Sequence, residues 1–356
     1  MEPLRPNDYL VPILKIAILA PITWRTPPRQ YGPWEQVASV LSEALVSKGV
    51  DVTLFATGDS ITRGRLQSVC PKPLGEEPGD AKVWECLHIS HLMERASEFD
   101  IIHNHFDFLP LTYSRLISTP VITTIHGFSS EDIVPVYKKY NANTSYVSIS
   151  QSDRHPSLEY LDTVYNGIDE RLFQLGGGKG EYLLYFGRIH PHKGASEAIK
   201  IATASARQLI LCGLIQDAEY YNEKVAPFVD GSSIVYLGNV GPERRNQLLG
   251  DARALLHPIS FEEPFGLSVV EAMMCGTPVI AFERGSMKEL IVDQRTGFLV
   301  NTVAEAVGAV GKLAAVNREE CRRHALANFS GTIMAEHYIR LYEGILRRPL
   351  TGGSAG

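Results

Sequence analysis

From Ile13 onward the chain alternates short apolar, mostly β-branched runs with longer stretches whose apolar positions recur every three or four residues. This is the pattern of a parallel sheet covered by helices on both faces. In the first half, strands are expected over 13–19 (ILKIAIL), 51–56, 99–105, 120–126 and 144–150, with helices over 35–48 and near 82–96, 107–117 and 131–139. In the first of these helices Val37, Val40, Leu41, Ala44 and Leu45 share one face, and Gly49 stops it. The glycine cluster LGGGKGE (175–181) reads as a hinge or linker. Beyond it a second series begins, with strands over 181–189, 208–213, 233–240, 252–258 and 277–282. A last amphipathic helix runs from about Gly331 to Arg347, with Met334, Tyr338, Leu341, Tyr342 and Leu346 on one face. The expected fold class is therefore α/β: two doubly wound, Rossmann-like domains facing across a cleft. Their bounds are 1–170 and 171–330, followed by a helix over 331–348 that packs back toward the first domain and a disordered tail over 349–356. In such sheets ligands bind beyond the carboxyl ends of the strands, so the chemistry belongs in the loops that directly follow them.

The length of 356 residues exceeds what one core supports and agrees with two domains. A composition of 44% hydrophobic and 21% charged residues is that of a globular protein, and the net charge of -6 argues against a general nucleic-acid binder. The cysteines, Cys70, Cys86, Cys212, Cys275 and Cys321, are scattered and odd in number, which suits a reducing compartment. No apolar run reaches the ~20 residues that span a bilayer. The opening MEPLRPNDYLVP lacks the apolar core of a signal peptide, so a cytoplasmic location is expected. Peripheral membrane contact through a surface helix stays open.

The strongest chemical signal is SFEEPFGLSVVEAMMCGTPVIAF (260–282), in which Glu263 and Glu271 bracket PFGLSVV. Pro264 fits the first position of a helix with Glu263 near its cap. The N–H groups of Phe265, Gly266 and Leu267 would then face an anion or sugar hydroxyls, and both carboxylates would accept hydroxyl hydrogen bonds. Glu263 alone reads equally well as an acidic cap. In YFGRIHPHKG (185–194), Arg188 follows Gly187 at a strand end and Lys193 opens the next helix, so two cations can converge on one spot. His190 and His192 are loop histidines in this reading.

These strings resemble the donor site of family-4 glycosyltransferases with a GT-B fold, over residues 13–347 and most specifically over 181–300. The resemblance implies that Glu263 contacts the transferred sugar, that Glu271 binds ribose hydroxyls, and that the backbone at Phe265, Gly266 and Leu267 holds sugar and diphosphate. Arg188 and Lys193 would stabilise the leaving group. RQYGPWEQV (29–37) is similar to the family's Tyr-Gly-Gly-x-Glu loop, with Pro33 in place of the second glycine. Gly32 still permits phosphate contact there, while Tyr31 and Trp34 would lie toward the acceptor, Trp34 either stacking on sugar or packing. His126 of TTIHGF would sit beside the reacting sugar. His105 and Asp107 of IIHNHFD would meet the acceptor, with a core role for the histidine equally open. Gly238 and Val240 of LGNV would flank the nucleobase. Ser148, Ser150 and the Asn166-Gly167-Ile168-Asp169 run read as the interdomain crossing.

The resemblance thus implies a retaining enzyme that moves a hexose-type sugar from a UDP- or GDP-linked donor to a hydroxyl of a glycan, lipid-linked or small-molecule acceptor. The sequence contains no Asp-x-Asp, so no essential metal or cofactor is expected. No G-x-G-x-x-G follows the first strand, which counts against a dinucleotide-dependent oxidoreductase. The remaining alternative is a non-catalytic two-lobed binder of sugar or nucleotide.

Overall fold

The computed structural model describes residues 13–347 apart from Pro78 and Ser129. The expected tail at 349–356 and the opening segment MEPLRPNDYLVP lie outside the described residues. Two all-parallel sheets organise the rest. The first holds β1 (Lys15–Leu19), β2 (Asp51–Phe55), β3 (Arg65–Gln67), β4 (Ile101–Asn104), β5 (Val121–Ile125), β6 (Ser145–Ser148) and β7 (Asp162–Thr163), in the order β3-β2-β1-β4-β5-β6-β7. The second holds β8 (Leu183–Phe186), β9 (Leu209–Cys212), β10 (Ile234–Tyr236), β11 (Ala254–His257), β12 (Val279–Phe282) and β13 (Gly297–Val300), in the order β10-β9-β8-β11-β12-β13. The strand order reverses between β1 and β4 in one sheet and between β8 and β11 in the other. Those reversals are where doubly wound sheets open a crevice.

Central strands such as β1, with Ile16, Ala17, Ile18 and Leu19 all fully buried, are apolar on both faces because helices cover both. Helix Pro33–Ser47 lays Val37, Val40, Leu41 and Leu45 on one face of the first sheet. Beside it runs the last helix, Gly331–Leu346, which adds Met334, Ala335, Tyr338 and Tyr342 to the same core. Its tyrosines are anchored by hydrogen bonds as well as by packing. Tyr342 Oη meets His103 Nδ1 at 2.6 Å, Tyr338 Oη meets Thr124 Oγ1 at 2.6 Å, and His103 Nε2 meets the same threonine oxygen at 2.8 Å.

The glycine cluster is not a free hinge. Gly176, Gly178 and Gly180 donate their N–H groups to the carbonyls of Cys275, Gly250 and Asp251. A Cβ on Gly176 would stand 2.1 Å from the Gly250 carbonyl oxygen, so glycine here serves close approach rather than flexibility. The crossings between lobes lie at Ile168 and Ser330. There the two chain segments run side by side, Ile168 N–H to Phe329 carbonyl at 2.8 Å and Gly331 N–H to Ile168 carbonyl at 2.9 Å.

One other expectation changes. The stretch expected as a helix over 107–117 is a short 3-10 turn, Leu109–Tyr113, with Pro110 in its first turn. Strands β3, β7 and β13 fall outside the stretches expected as strands.

Candidate active site

The carboxyl ends of both sheets open on a single cleft of about 1130 Å³. On the second-lobe side the chain leaves β8 through Gly187, whose N–H reaches the Cys212 carbonyl at 3.0 Å. Gly213, at φ 146°, passes so close that a Cβ would stand 1.9 Å from the Gly187 oxygen. Arg188 extends into the cleft, donating from Nη1 to Gln216 Oε1 at 2.6 Å, with its guanidinium 5.8 Å from the Tyr31 ring centroid. The turn Pro191–Lys193 ends on Gly194, at φ 77°, where a Cβ would lie 2.0 Å from the Pro258 oxygen. That contact holds the Lys-Gly pair against the end of β11.

Lys193 Nζ consequently donates to Glu263 Oε2 at 2.6 Å. His257 Nε2 lies 3.6 Å from the same oxygen, just beyond hydrogen-bond range. Burial opposes ionisation of Glu263, yet the neighbouring His257 and Lys193 outweigh it and hold the carboxyl at about 2. Glu271 has a different partner. Its Oε1 accepts from Arg245 Nη1 at 3.0 Å, and the guanidinium stands 4.8 Å from the Phe186 ring centroid. Burial raises the Glu271 carboxyl and Arg245 only partly offsets it.

The helix carrying Glu271 begins at Leu267, with Gly266 (φ 95°) as its cap, rather than at Pro264. The cause is competition for carbonyls. Ser150 Oγ donates to the Pro264 oxygen at 2.7 Å and Ser286 Oγ to the Phe265 oxygen at 2.5 Å. The Phe265 ring is drawn into the core between Tyr165 and Phe329. The amides left without intrahelical partners are therefore those of Leu267 and Ser268, and both residues line the cleft.

On the first-lobe side Gly32, at φ 154°, caps helix Pro33–Ser47. Pro33 occupies the first turn, where its missing N–H costs no helical bond. Glu35 turns inward to accept the Trp24 N–H at 3.0 Å, and burial pushes its carboxyl up to about 7. The Trp34 ring stacks on His126 with centroids 5.5 Å apart. His126 Nε2 bonds His105 Nδ1 at 2.9 Å, and the His105 ring lies 4.3 Å from that of His103. Burial lowers His126 and His103 to about 3 and His105 well below its ordinary value, so this stack is neutral at physiological pH.

His105 is fully buried and lines no part of the cleft; it backs His126 in the core, the second of the two readings open to it. Asp107 does face the cleft, from a left-handed backbone (φ 71°), with the Tyr137 hydroxyl donating to its Oδ1. Tyr31, expected toward the acceptor, lies under Arg188 at the opposite end. Gly238 and Val240 do not line the cleft either. Gly238 gives its carbonyl to Gly213 N–H, Val240 joins the second core, and it is Asn239 between them that reaches out, donating to Gln30 Oε1 at 3.0 Å. Arg188, Lys193, Glu263 and Glu271 all line one cleft, Arg188 bonded to Gln216, Lys193 to Glu263 and Glu271 to Arg245.

Arg245 and His257 were not anticipated. Arg245 sits in helix Pro242–Asp251, within a PERRNQ run that looks like any solvated helix face, and only the buried Glu271 opposite distinguishes it from Arg244. The lobes are also joined by Glu289, which accepts from the N–H groups of Gln151 (2.8 Å) and Ser152 (2.9 Å) and from Tyr165 Oη (3.1 Å). Among the described residues no cluster of three or more His, Cys, Asp or Glu could hold a metal ion, and no helix is long and apolar enough to cross a membrane.

Comparison with known proteins gives this cleft a context. The chain is 27% identical over 326 residues to a D-inositol 3-phosphate glycosyltransferase from Arthrobacter sp. (strain FB24), covering 73% of this chain and 76% of that one. Among solved structures it superposes on AviGT4, a glycosyltransferase involved in avilamycin A biosynthesis, with a TM-score of 0.74 and 24% identity over 94% and 99% of the two chains. It superposes on Anabaena HepE in complex with UDP and glucose with a TM-score of 0.71 and 19% identity, over 93% and 99%. The family model described as Glycosyltransferase Family 4 matches residues 35–171, and that described as Glycosyl transferases group 1 matches residues 169–329. With the two models meeting end to end across both lobes, this chain belongs to the family-4 glycosyltransferases and has the GT-B fold.

Proposed function

We propose that this protein transfers a hexose-type sugar from a nucleoside-diphosphate donor to an acceptor hydroxyl with retention of anomeric configuration. The observation that carries the reading is the grouping of Arg188, Lys193 and Arg245 on the second-lobe wall of the cleft, beside the open helix start at Leu267 and Ser268. Arg188 and Lys193 supply the positive charge that a departing diphosphate requires, with the helix N-terminus adding its partial charge. Glu263, ionised and pinned by Lys193, accepts hydroxyls of the transferred sugar. Glu271, paired with Arg245, accepts hydroxyls of the ribose. His126, held neutral and oriented by His105 and Trp34, borders the reacting carbon. The acceptor hydroxyl enters from the first lobe and attacks on the face the diphosphate leaves, giving up its proton to that diphosphate. The reaction draws on protein side chains without an essential metal.

The test is incubation with UDP- and GDP-sugars, UDP-glucose first because one solved neighbour is a UDP complex. Slow release of the nucleoside diphosphate is expected, and Arg188→Ala should abolish it. Binding with no release under any acceptor supplied would favour a non-catalytic two-lobed binder instead.

A further inference from the structure

The cleft is electrostatically divided. Every Lys or Arg that lines it, Arg188, Lys193 and Arg245, comes from the second lobe, and the first lobe contributes none among the described residues. Two first-lobe arginines adjacent in sequence to lining residues are engaged elsewhere. Arg25 donates from Nε to the Pro27 carbonyl at 2.8 Å, and Arg29 is paired with Glu76 at 2.7 Å and Asp59 at 3.4 Å. In place of cations the first-lobe wall presents Glu35, already engaged by the Trp24 N–H, together with Glu85 and Asp107 among the rings of Trp24, Phe106 and Phe108. Glu85 is half-buried, on helix Ala81–Met93, with no hydrogen bond or ion pair to any described residue. Asp107 is held in its left-handed turn by Asn104 Nδ2, which donates to its carbonyl at 2.8 Å. A strained, non-glycine residue kept in place in this way is a feature of ligand-facing turns.

From this wall we propose that the acceptor is an uncharged or amine-bearing ring, a sugar or a cyclitol, and that phosphorylated and carboxylated rings are rejected. The inference rests on the transferase reading above, which places the acceptor against the first lobe. Two partly desolvated carboxylates accept hydrogen bonds from hydroxyl or ammonium groups and repel a second anion, more strongly than in bulk water because the cleft walls lower the effective dielectric. The aromatic rings supply faces for the apolar side of a pyranose or cyclohexane ring. A phosphate on the acceptor would find its counter-charges only on the far wall, where the donor diphosphate already occupies them.

The experiment first measures nucleoside-diphosphate release from the donor without acceptor, which checks the underlying reading by itself. Matched acceptors are then compared on the intact protein: glucose with glucose 6-phosphate, glucose with glucuronate, and glucosamine with glucosamine 6-phosphate. The uncharged or amine-bearing member of each pair is expected to raise release at least roughly ten-fold more than its anionic partner. Glu85→Lys should narrow that gap about ten-fold, and Glu85→Gln, which keeps the side-chain shape, should narrow it less. Preference for the anionic member, or an equal response to both members including none to either, overturns the acceptor class while donor release leaves the transferase reading standing. A gap that Glu85→Lys leaves unchanged overturns the role given to this wall. Absence of donor release altogether overturns the transferase reading, and the acceptor class with it.

Discussion

Lys193 and Glu263 form a 2.6 Å ion pair whose side chains are only 17% and 11% exposed, at the point where the two lobes face each other. Removing one partner of a buried pair strands the other, so Lys193→Ala should lower stability by about 3 kcal/mol. Glu263→Gln removes the charge with the shape and should cost less. Both should reduce donor turnover by roughly 10²-fold or more. The folded-state carboxyl of Glu263, near 2, lies below its unfolded value, so its contribution is complete above about pH 5 and fades as pH falls toward 2. Urea unfolding at pH 7 and pH 3 should therefore show a smaller acid loss for Glu263→Gln than for the parent protein.

Arg245 and Glu271 make a second, independent test. Arg245→Ala leaves the Glu271 carboxylate buried without its counter-charge, and a loss of about 3 kcal/mol in unfolding free energy is expected. Arg245→Lys keeps the charge but not the forked geometry and should lose less stability while still weakening nucleotide binding about ten-fold, read by calorimetric titration with UDP and GDP.

Glu35 predicts the opposite pH dependence. Burial raises its folded-state carboxyl to about 7, above the unfolded value, so the unfolded chain ionises first. Stability contributed at this site is then full below about pH 4 and is lost as pH rises toward 7, by on the order of 3 kcal/mol. Glu35→Gln preserves an acceptor for the Trp24 N–H and should remove this loss. The measurement is the difference in melting temperature between variant and parent, which should grow in the variant's favour from pH 5 to pH 8.

Tyr342→Phe should cost about 1–3 kcal/mol, because His103 Nδ1 would be left buried without its partner. Since Tyr338 meets Thr124, which also bonds His103 Nε2, the Tyr338→Phe and Tyr342→Phe effects should not add, and a double-variant cycle by urea unfolding would measure the coupling.

The sequence is legible where one chemical reason governs a position. Strand positions in the core follow from unbroken apolar runs such as Ile16–Leu19. Lys193 and Glu263 follow from motifs placed just after strands. It misleads where tertiary partners decide. Pro264 and Glu263 look like a helix start, but hydroxyls distant in sequence, on Ser150 and Ser286, take the carbonyls that would have begun it. The glycines at 176–180 look like a hinge, but they press against β-strand connections of the second lobe. Arg245 is illegible because its meaning lies in Glu271, on another helix. His105 and His126 share a motif style, strand-end histidine, and only packing separates the one that faces the cleft from the one behind it.

Helix Gly331–Leu346 completes the core of the first lobe although the whole second lobe precedes it in the chain. During synthesis, then, the part translated first waits longest. Its sheet keeps an uncovered apolar stripe until the last turns of that helix leave the ribosome, while the second lobe already has all its strands and can close. Proteins usually mature from the amino end; here a chain released shortly before Met334 would carry every residue of the second lobe's core and none of Met334, Ala335, Tyr338 and Tyr342, which the last helix adds to the first.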